Sequence, residues 1–310
     1  MMKKKILFLV LLLIFIAGCS EKKYEIIDRE TKISNDAVKI TPDMDNYAPI
    51  LHSNEYEEPV PLATINSAGA EDSPFIPYDR EEIYFFFTPN VSVPAEKQLF
   101  DEVTGIYVSK LENGIYQKPE RVFLQDPGKL SLDGCEFIKG NEMLFCSARE
   151  GYSGIQWVRA EWNGEKWSNW EVSDFNEDYE VGELHIYNNE LYFHSARNGG
   201  SGGLDIWKLT KINDEWINPE NIENINSQEN EGWPYISKDG KELWFNRNYF
   251  GSPAVFRSKK VNEEWQEPEL IVSQFAGEPT LDNEGNLYFV HHFYENNLML
   301  EADIYVAYRK

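Results

Sequence analysis

Short apolar and aromatic runs recur along this chain, and polar turn residues separate them. A complete unit spans residues 179–236, where the acid Glu180 precedes an apolar run at 184–186, an aromatic run at 191–195 and a third run at 205–209. Each run has the length of a β-strand, and no helix is indicated within the units. The core of the second run recurs five times, at residues 83–85, 143–145, 191–193, 243–245 and 287–289.

The second runs are apolar at successive positions, without the alternation of a strand that has one face in water. Residues 84–87 read Tyr-Phe-Phe-Phe, and a strand that is apolar on both faces needs cover on both faces. Self-similarity with a period of about 50 residues and about four short strands per unit is typical of propeller blades. The pattern predicts an all-β fold, a single five-bladed β-propeller over residues 56–310.

The way the ring closes can also be predicted. The fifth unit ends with a third-strand run at 303–307, and residues 58–67 resemble residues 218–227, an outer strand and its exit in the third unit. We therefore expect the N-terminal segment to supply the outer strand of the fifth blade, which removes exposed sheet edges. The alternative is a six-bladed propeller with an irregular blade built from residues 30–60.

The first residues have the pattern of an export signal. Lysines at 3–5 precede an apolar run at 6–16 and small residues, which is typical of a secretory signal and too short for a spanning helix. Residues 16–19 resemble the lipobox of bacterial lipoproteins, which implies cleavage before Cys19 and lipidation of its thiol. The alternative is an ordinary cleaved signal.

The domain boundaries follow from these patterns. We expect residues 1–18 to be a lipoprotein signal peptide and residues 19–55 to be the lipidated cysteine and a flexible tether, because residues 20–55 are polar and show no period. This makes the protein exported and membrane-anchored. The chain has 29 basic and 53 acidic residues and a net charge of −24, which argues against nucleic acid or an anionic membrane surface as a partner. We expect a monomer held to the membrane by its lipid.

Cys135 and Cys146 fall on the first and second strands of the second unit. Pairing Lys139 with Glu142 across the turn places the two cysteines opposite each other, with Cβ atoms about 5 Å apart. An exported location permits a disulfide, whereas the hydrogen-bonded site expected for this pair sets the Cα atoms wider apart. A disulfide and two free buried thiols are both open.

Several short motifs recur across residues 58–310. They include Glu-x-x-Pro at 71–74 and 231–234, Lys-Asp-Gly at 238–240 and Asp-Ile-Trp at 205–207. Together they resemble the TolB-like, WD-type β-propeller repeats of exported bacterial proteins. The resemblance implies the propeller fold; functions in that family vary and include protein-interaction scaffolds.

The candidate site lies at one edge of the predicted meanders. In an antiparallel meander the start of the first strand and the end of the second strand share an edge, so acids before the first strands and cations after the second strands should surround one mouth of the channel. The candidate ligand-binding residues are Glu71, Asp72, Asp133, Arg149, Glu180, Glu183, Arg197, Glu231, Arg247, Glu278, His291 and His292.

Two interpretations of this set are open. Each carboxylate could pair with an arginine and fasten one blade to the next, or the set could form a polar pocket for a protein partner or a glycan. Residues that break the repeat are the better binding candidates, namely Asp72, Glu183, His291 and His292. A binding module is the leading prediction.

The alternative is a glycoside hydrolase. Five-bladed glycosidases of the arabinanase and invertase type carry acids on their first three blades, and Asp72, Asp133 and Glu183 have broadly similar places. Such catalysis needs a carboxylate and a protonated acid on either side of the scissile bond. No cofactor is predicted; a ring of acids could hold calcium, but the pair of histidines shows no third ligand at a metal-binding spacing.

Overall fold

The computed structural model describes residues 23–173 and 175–310. The predicted signal peptide and Cys19 lie outside the described residues. No helix in the described ranges has the length and apolarity needed to span a membrane. The few helical segments are short: 3-10 turns at Arg29–Lys32, Pro42–Met44 and Glu177–Tyr179, and α1 at Ala95–Gln98.

The fold is all-β, as predicted. Two short strands, β1 (Ile50–Leu51) and β2 (Val60–Pro61), precede five antiparallel meanders that follow one another through the described residues. The first meander contains β3 (Ala70–Phe75), β4 (Glu82–Thr88), β5 (Gly105–Glu112), β6 (Ile115–Tyr116) and β7 (Glu120–Arg121), and the second contains β8 (Ser131–Lys139), β9 (Glu142–Arg149), β10 (Gln156–Trp162) and β11 (Trp167–Val172). The third contains β12 (Leu184–Tyr187), β13 (Glu190–Ser195), β14 (Asp205–Ile212) and β15 (Glu215–Asn221), and the fourth contains β16 (Glu231–Ile236), β17 (Glu242–Tyr249), β18 (Ser252–Val261), β19 (Glu264–Trp265) and β20 (Glu269–Ser273). The fifth contains β21 (Ala276–Leu281), β22 (Leu287–Glu295) and β23 (Leu298–Ala307).

The second strands are buried on both faces. Three successive residues at the core of β4, Ile83, Tyr84 and Phe85, are at most 2% exposed. The same holds for residues 243–245 of β17, which are all 0% exposed. Because adjacent residues of a strand point to opposite faces, each of these strands has apolar cover on both sides.

A β-bulge interrupts the first strand of four meanders. A bulge re-aims the side chains beside it, and at each bulge one residue has a positive φ. The register shifts between Asp72 and Phe75 in β3, between Gly134 and Phe137 in β8, between Gly232 and Tyr235 in β16, and between Gly277 and Thr280 in β21. The positive-φ residues are Ser73, Cys135, Trp233 and Glu278, and all four line one small cavity.

The structure contains a disulfide between Cys135 and Cys146, with the Cα atoms 5.4 Å apart. The predicted pairing of Lys139 with Glu142 is present, but Gly134 and not Cys135 lies opposite Cys146. The predicted register was wrong because the bulge inserts one extra residue in β8 between Phe137 and Gly134.

The segment at 58–67 joins the C-terminal sheet, as expected. Val60 of β2 is paired with Val306 of β23 in antiparallel register, and the backbone N–H of Leu62 donates to the carbonyl of Ile304 at 2.9 Å. The fifth meander also touches the first, through a single parallel bridge between Ala302 and Ala70.

Several described residues of the predicted tether contact the meanders. The ring of Tyr24 stacks on Phe123 at 4.3 Å, Arg29 is 4% exposed, and Ile50 of β1 is paired with Ser273 of β20. The sequence pattern did not indicate these contacts, because each is made by an isolated residue and they repeat at no period. Residues 30–60 add β1 to the fourth meander and form no sheet of their own, which leaves the six-bladed alternative without a blade in this part of the chain.

Candidate functional site

The predicted mouth acids fall into two groups, and Glu231 represents the first. It is fully buried and accepts hydrogen bonds from the backbone N–H of Ser227 at 3.1 Å and from the Ser227 hydroxyl. Arg247 Nε donates to it at 2.7 Å, while the guanidinium lies 4.8 Å from the centroid of the Phe256 ring. The carboxylate therefore has a cation and two further donors.

Glu71 has the same surroundings, but its cation comes from elsewhere. The Ser67 backbone N–H and hydroxyl donate to it at 2.9 and 2.6 Å, and Arg29 Nη1 lies 3.0 Å from its Oε1. The guanidinium sits over the ring of Phe87, 4.6 Å from its centroid. Burial raises the pKa of Glu71, and the Arg29 charge opposes that rise. An arginine outside the repeats thus takes the position that Arg247 has in the fourth meander.

Asp133 is the third member of this group. The hydroxyls of Ser131 and Ser147 donate to it at 2.7 and 2.6 Å, and Arg149 Nη2 lies at 3.1 Å. We call Glu71, Asp133 and Glu231 the latch carboxylates. They are at most 5% exposed, and each is paired with an arginine. Arg149 and Arg247 belong to the same meander as their carboxylates, so these two pairs join adjacent strands of one meander and not one blade to the next.

Units three and five lack this carboxylate–arginine pair among the described residues. Glu180 is exposed at the end of a 3-10 turn, and no ion pair joins it to Arg197 within the described residues. Arg197 lies instead over the ring of Trp207, 5.0 Å from its centroid. His291 is fully buried, and its Nε2 is 3.0 Å from a carboxylate oxygen of Asp45 in the N-terminal segment.

The second group lies at and beside a small cavity of about 50 Å³. We call Asp72, Glu136, Glu183, Glu278 and His292 the mouth cluster. Glu136, Glu183 and Glu278 line the cavity, and His292 Nε2 lies 3.5 Å from Asp72 Oδ1. No lysine or arginine of the described residues lies within ion-pair distance of these four carboxylates. They therefore lack the arginine partner that each latch carboxylate has.

Aromatic residues close the inner end of the cavity. The ring of His185 lies 4.9 Å from Phe137 and 4.7 Å from Tyr235, and the hydroxyl of Tyr235 donates to the carbonyl of Leu281 at 3.1 Å. Burial lowers the pKa of His185 to about 3, so this histidine is a neutral packing residue.

Glu136 was not predicted, and it is the least satisfied member of the cluster. It is 7% exposed, and neither carboxylate oxygen accepts a hydrogen bond from another described residue. A sequence signal existed: Glu136 occupies the position that Pro74, Pro234 and Pro279 have in other units. A carboxylate in place of that proline is the departure that could have identified it.

Crowding and burial change the acidity of the cluster. Burial, and next the neighbouring charges of Glu183 and Asp72, raise the pKa of Glu136 to about 8. Burial and the charge of Asp72 raise the pKa of Glu183 to about 8, and the same causes raise the pKa of Glu278 well above its usual range. At neutral pH the cluster therefore holds protons that isolated carboxyls would release.

Three members could hold a cation. One carboxylate oxygen each from Asp72 and Glu278 and an imidazole nitrogen of His292 lie within 4.8 Å of one another. The hydroxyl of Ser73 also donates to Glu278, which fixes that side chain at the edge of the cavity. Oxygen and imidazole donors together suit a divalent metal ion.

The structure thus divides the predicted set. It brings Glu183 and Glu278 together at one cavity and places Asp72 and His292 beside Glu278. It places the other candidates, Glu71, Asp133, Arg149, Glu180, Arg197, Glu231, Arg247 and His291, in latches, in ring contacts or at the surface.

No family profile and no curated protein matches this chain. Similar solved structures include TolB from Acinetobacter baumannii, at 14% identity and a TM-score of 0.43 over 78% of this chain and 55% of that chain. The present chain thus spans about half the length of that TolB chain.

Two other similar structures are matched over nearly their whole length. An endo-arabinase from Bacteroides thetaiotaomicron has 15% identity and a TM-score of 0.49, over 81% of this chain and 97% of that one. A gluconolactonase from Xanthomonas campestris has 9% identity and a TM-score of 0.46, over 83% and 90%. All three are β-propeller proteins. At these identities and TM-scores the likeness bears on neither activity nor ligand.

Proposed function

We propose that this chain is an exported, lipid-anchored β-propeller of five blades that binds a protein partner or a glycan at the mouth cluster. Support for five blades comes from the cavity, which is lined by residues of the five first strands, among them Ser73, Glu136, Leu184, Trp233 and Glu278. Support for closure by the N-terminal segment comes from the pairing of β2 with β23. Both features are expected of blades around one axis.

The observation that carries the binding proposal is the contrast between latch and mouth. Each latch carboxylate has an arginine within 3.1 Å, whereas the mouth carboxylates have no such cation among the described residues. Without a cation nearby, these carboxyl groups ionise only at a cost to the folded state. A ligand that brings a positive charge would supply what the chain itself lacks.

The size of the cavity favours a protein partner over a glycan. About 50 Å³ accommodates the tip of one lysine or arginine side chain and not a sugar ring. Trp233 borders the cavity and offers an aromatic face for the aliphatic part of such a side chain. A glycan would have to stack above this residue without entering.

A binding assay on matched peptides and oligosaccharides tests the proposal. We expect the full chain to bind lysine- or arginine-containing peptides from a randomised library, and to bind their norleucine or citrulline counterparts at least tenfold more weakly. Glu183→Gln and Glu278→Gln should weaken binding at least tenfold, and Glu215→Gln, on an exposed strand residue, should not. If peptides and glycans bind the Glu183→Gln variant as well as the natural chain, the mouth is not the binding site.

One observation favours the hydrolase alternative. With a pKa of about 8, Glu183 would be protonated at neutral pH and could act as a general acid, with Asp72 as the carboxylate. Asp133, the third acid of that prediction, has a latch position instead. Turnover of a broad aryl-glycoside panel that is abolished by Glu183→Gln would support the enzyme; rates equal to those of the variant would exclude it.

A further inference from the structure

The structure carries an inference about which ion the mouth cluster can hold, and it rests on the proposed use of the mouth as a binding site. We propose that Asp72, Glu278 and His292 bind one first-row divalent metal ion of the Mn²⁺ or Zn²⁺ type. Their ligand atoms lie within 4.8 Å of one another, and Asp72 Oδ1 is already 3.5 Å from His292 Nε2. Metal–ligand bonds of about 2.0–2.2 Å set ligand atoms roughly 3–4 Å apart, so small side-chain rotations complete the geometry.

Glu136 is the independent sign that something charged belongs there. It lines the same cavity as Glu278, is 7% exposed and offers two oxygens that no other described residue contacts by a hydrogen bond. Buried polar atoms normally have a partner. A cation at the mouth would balance this carboxylate through space, even though Glu136 is not needed as a direct ligand.

The site is open enough for an ion to enter. The side chains of Asp72 and His292 are 26% and 14% exposed, whereas His291, next in the chain, is fully buried. Three protein ligands leave positions free for water or for a group of a bound ligand, as in metal sites that take up substrates. The ion could thereby also recruit a carboxylate or carbonyl from the occupant of the mouth.

The donor set argues for a first-row metal ion over calcium. Calcium prefers six to eight oxygen ligands, whereas an imidazole nitrogen with carboxylate oxygens suits manganese and zinc. Weaker binding of calcium than of manganese or zinc would therefore support the assignment of this donor set.

The test is a titration of the full chain after exhaustive dialysis against EDTA and then metal-free buffer. We expect calorimetry with ZnCl2 and MnCl2 to give one ion per chain, and the electron paramagnetic resonance signal of free Mn²⁺ to decrease with the same stoichiometry. CaCl2 should bind at least tenfold more weakly. His292→Ala should lower Mn²⁺ and Zn²⁺ affinity at least tenfold, and His52→Ala, which removes a histidine hydrogen-bonded to Ser273 at the outer edge of the fourth meander, should leave it unchanged.

Asp72→Asn keeps the shape of its side chain and serves as a second variant if His292→Ala does not fold, as judged by near-ultraviolet circular dichroism. Absence of binding, or equal affinity in the natural chain and these variants, would overturn the metal site. Calcium binding as tight as that of manganese and indifferent to His292→Ala would overturn the assignment as well. The peptide assay is run without added metal, so a failed titration leaves its result intact, and a failed peptide assay leaves the titration interpretable.

Discussion

At the scale of single residues, the two sets of carboxylates differ in whether a cation is within reach. Glu231 is buried with Arg247 beside it at 2.7 Å, and Glu183 is next to Asp72, whose charge raises its pKa. A buried carboxylate with a good partner contributes to the unique fold, whereas buried like charges favour protonation or a bound cation. Glutamate and aspartate therefore have a structural role in the latch set, whereas in the mouth cluster they have no lysine or arginine partner and could bind a cation.

The mouth cluster should make stability depend on pH. Glu136 and Glu183 have folded-state pKa values of about 8, above the ordinary value near 4.5 of the unfolded chain. Between these values the folded state holds protons that the unfolded state has released, so the free energy of unfolding falls as pH rises from about 4.5 to 8. This loss of stability is complete above about pH 8 and absent below about pH 4.5.

We therefore expect Glu136→Gln to flatten this decline and to raise the free energy of unfolding at pH 8.5 by roughly a few kcal/mol. Urea unfolding from pH 5 to 8.5 measures it. Glu215→Gln is the control, because Glu215 is exposed and should leave the slope unchanged. A Glu136→Gln slope identical to that of the natural chain would show that Glu136 is ionised throughout.

The latch at Glu71 gives a second residue-scale prediction. Arg29→Ala removes the cation beside a carboxylate that is 0% exposed, and breaking a buried pair from one side costs about 3 kcal/mol or more. Adding Glu71→Gln should restore part of this loss, since glutamine carries no charge and its one amide oxygen can still accept from the backbone N–H of Ser67. Lys118→Ala breaks an exposed pair with Asp28 and should leave stability nearly unchanged. Equal effects of Arg29→Ala and Lys118→Ala in chemical denaturation would contradict the latch.

At the scale of elements, the strands were predictable and the segment before them was not. The five second-strand cores of the sequence lie within β4, β9, β13, β17 and β22, because their burial on both faces selects apolar residues at every position. Bulges escaped prediction, since a positive φ at Cys135 or Trp233 leaves no mark in apolar periodicity. The role of Arg29 escaped for a related reason: one long-range ion pair has no period.

Truncations separate the contributions of the N-terminal elements. Removal of residues before β1 should lower stability by more than Arg29→Ala, because it also removes Asp45 from His291 and Tyr24 from Phe123, but β1 and β2 remain paired. Removal of all residues through 65 should lower stability much further and cause aggregation. It exposes the edge of β23 at Tyr305 and Val306, and an unpaired apolar edge promotes aggregation. Thermal denaturation and size-exclusion chromatography compare the two chains. If the longer deletion stays monomeric and equally stable, β2 does not close the fifth meander.

At the scale of the whole molecule, charge and anchoring are linked. The net charge of −24 repels anionic lipid surfaces, so electrostatic attraction cannot hold this chain on a membrane. The predicted lipidation at Cys19 provides the other route, because each buried methylene of an acyl chain contributes about 0.8 kcal/mol and several chains together give stable anchoring. The mouth would then be presented to partners close to the membrane.

Cys19→Ala tests this arrangement. With lipidation, the natural chain should sediment with membranes and resist a high-salt wash, whereas the Cys19→Ala variant should be lost from the washed membranes by at least tenfold. Ser20→Ala changes the adjacent residue and retains the thiol, so it should behave as the natural chain does. Mass spectrometry of the N-terminal peptide gives a readout that does not depend on fractionation, since acylation adds a large mass to Cys19 itself. An unmodified Cys19, or a natural chain that is released from membranes like the variant, would mean that the first residues act as an ordinary export signal and that the mouth is not confined to a membrane surface.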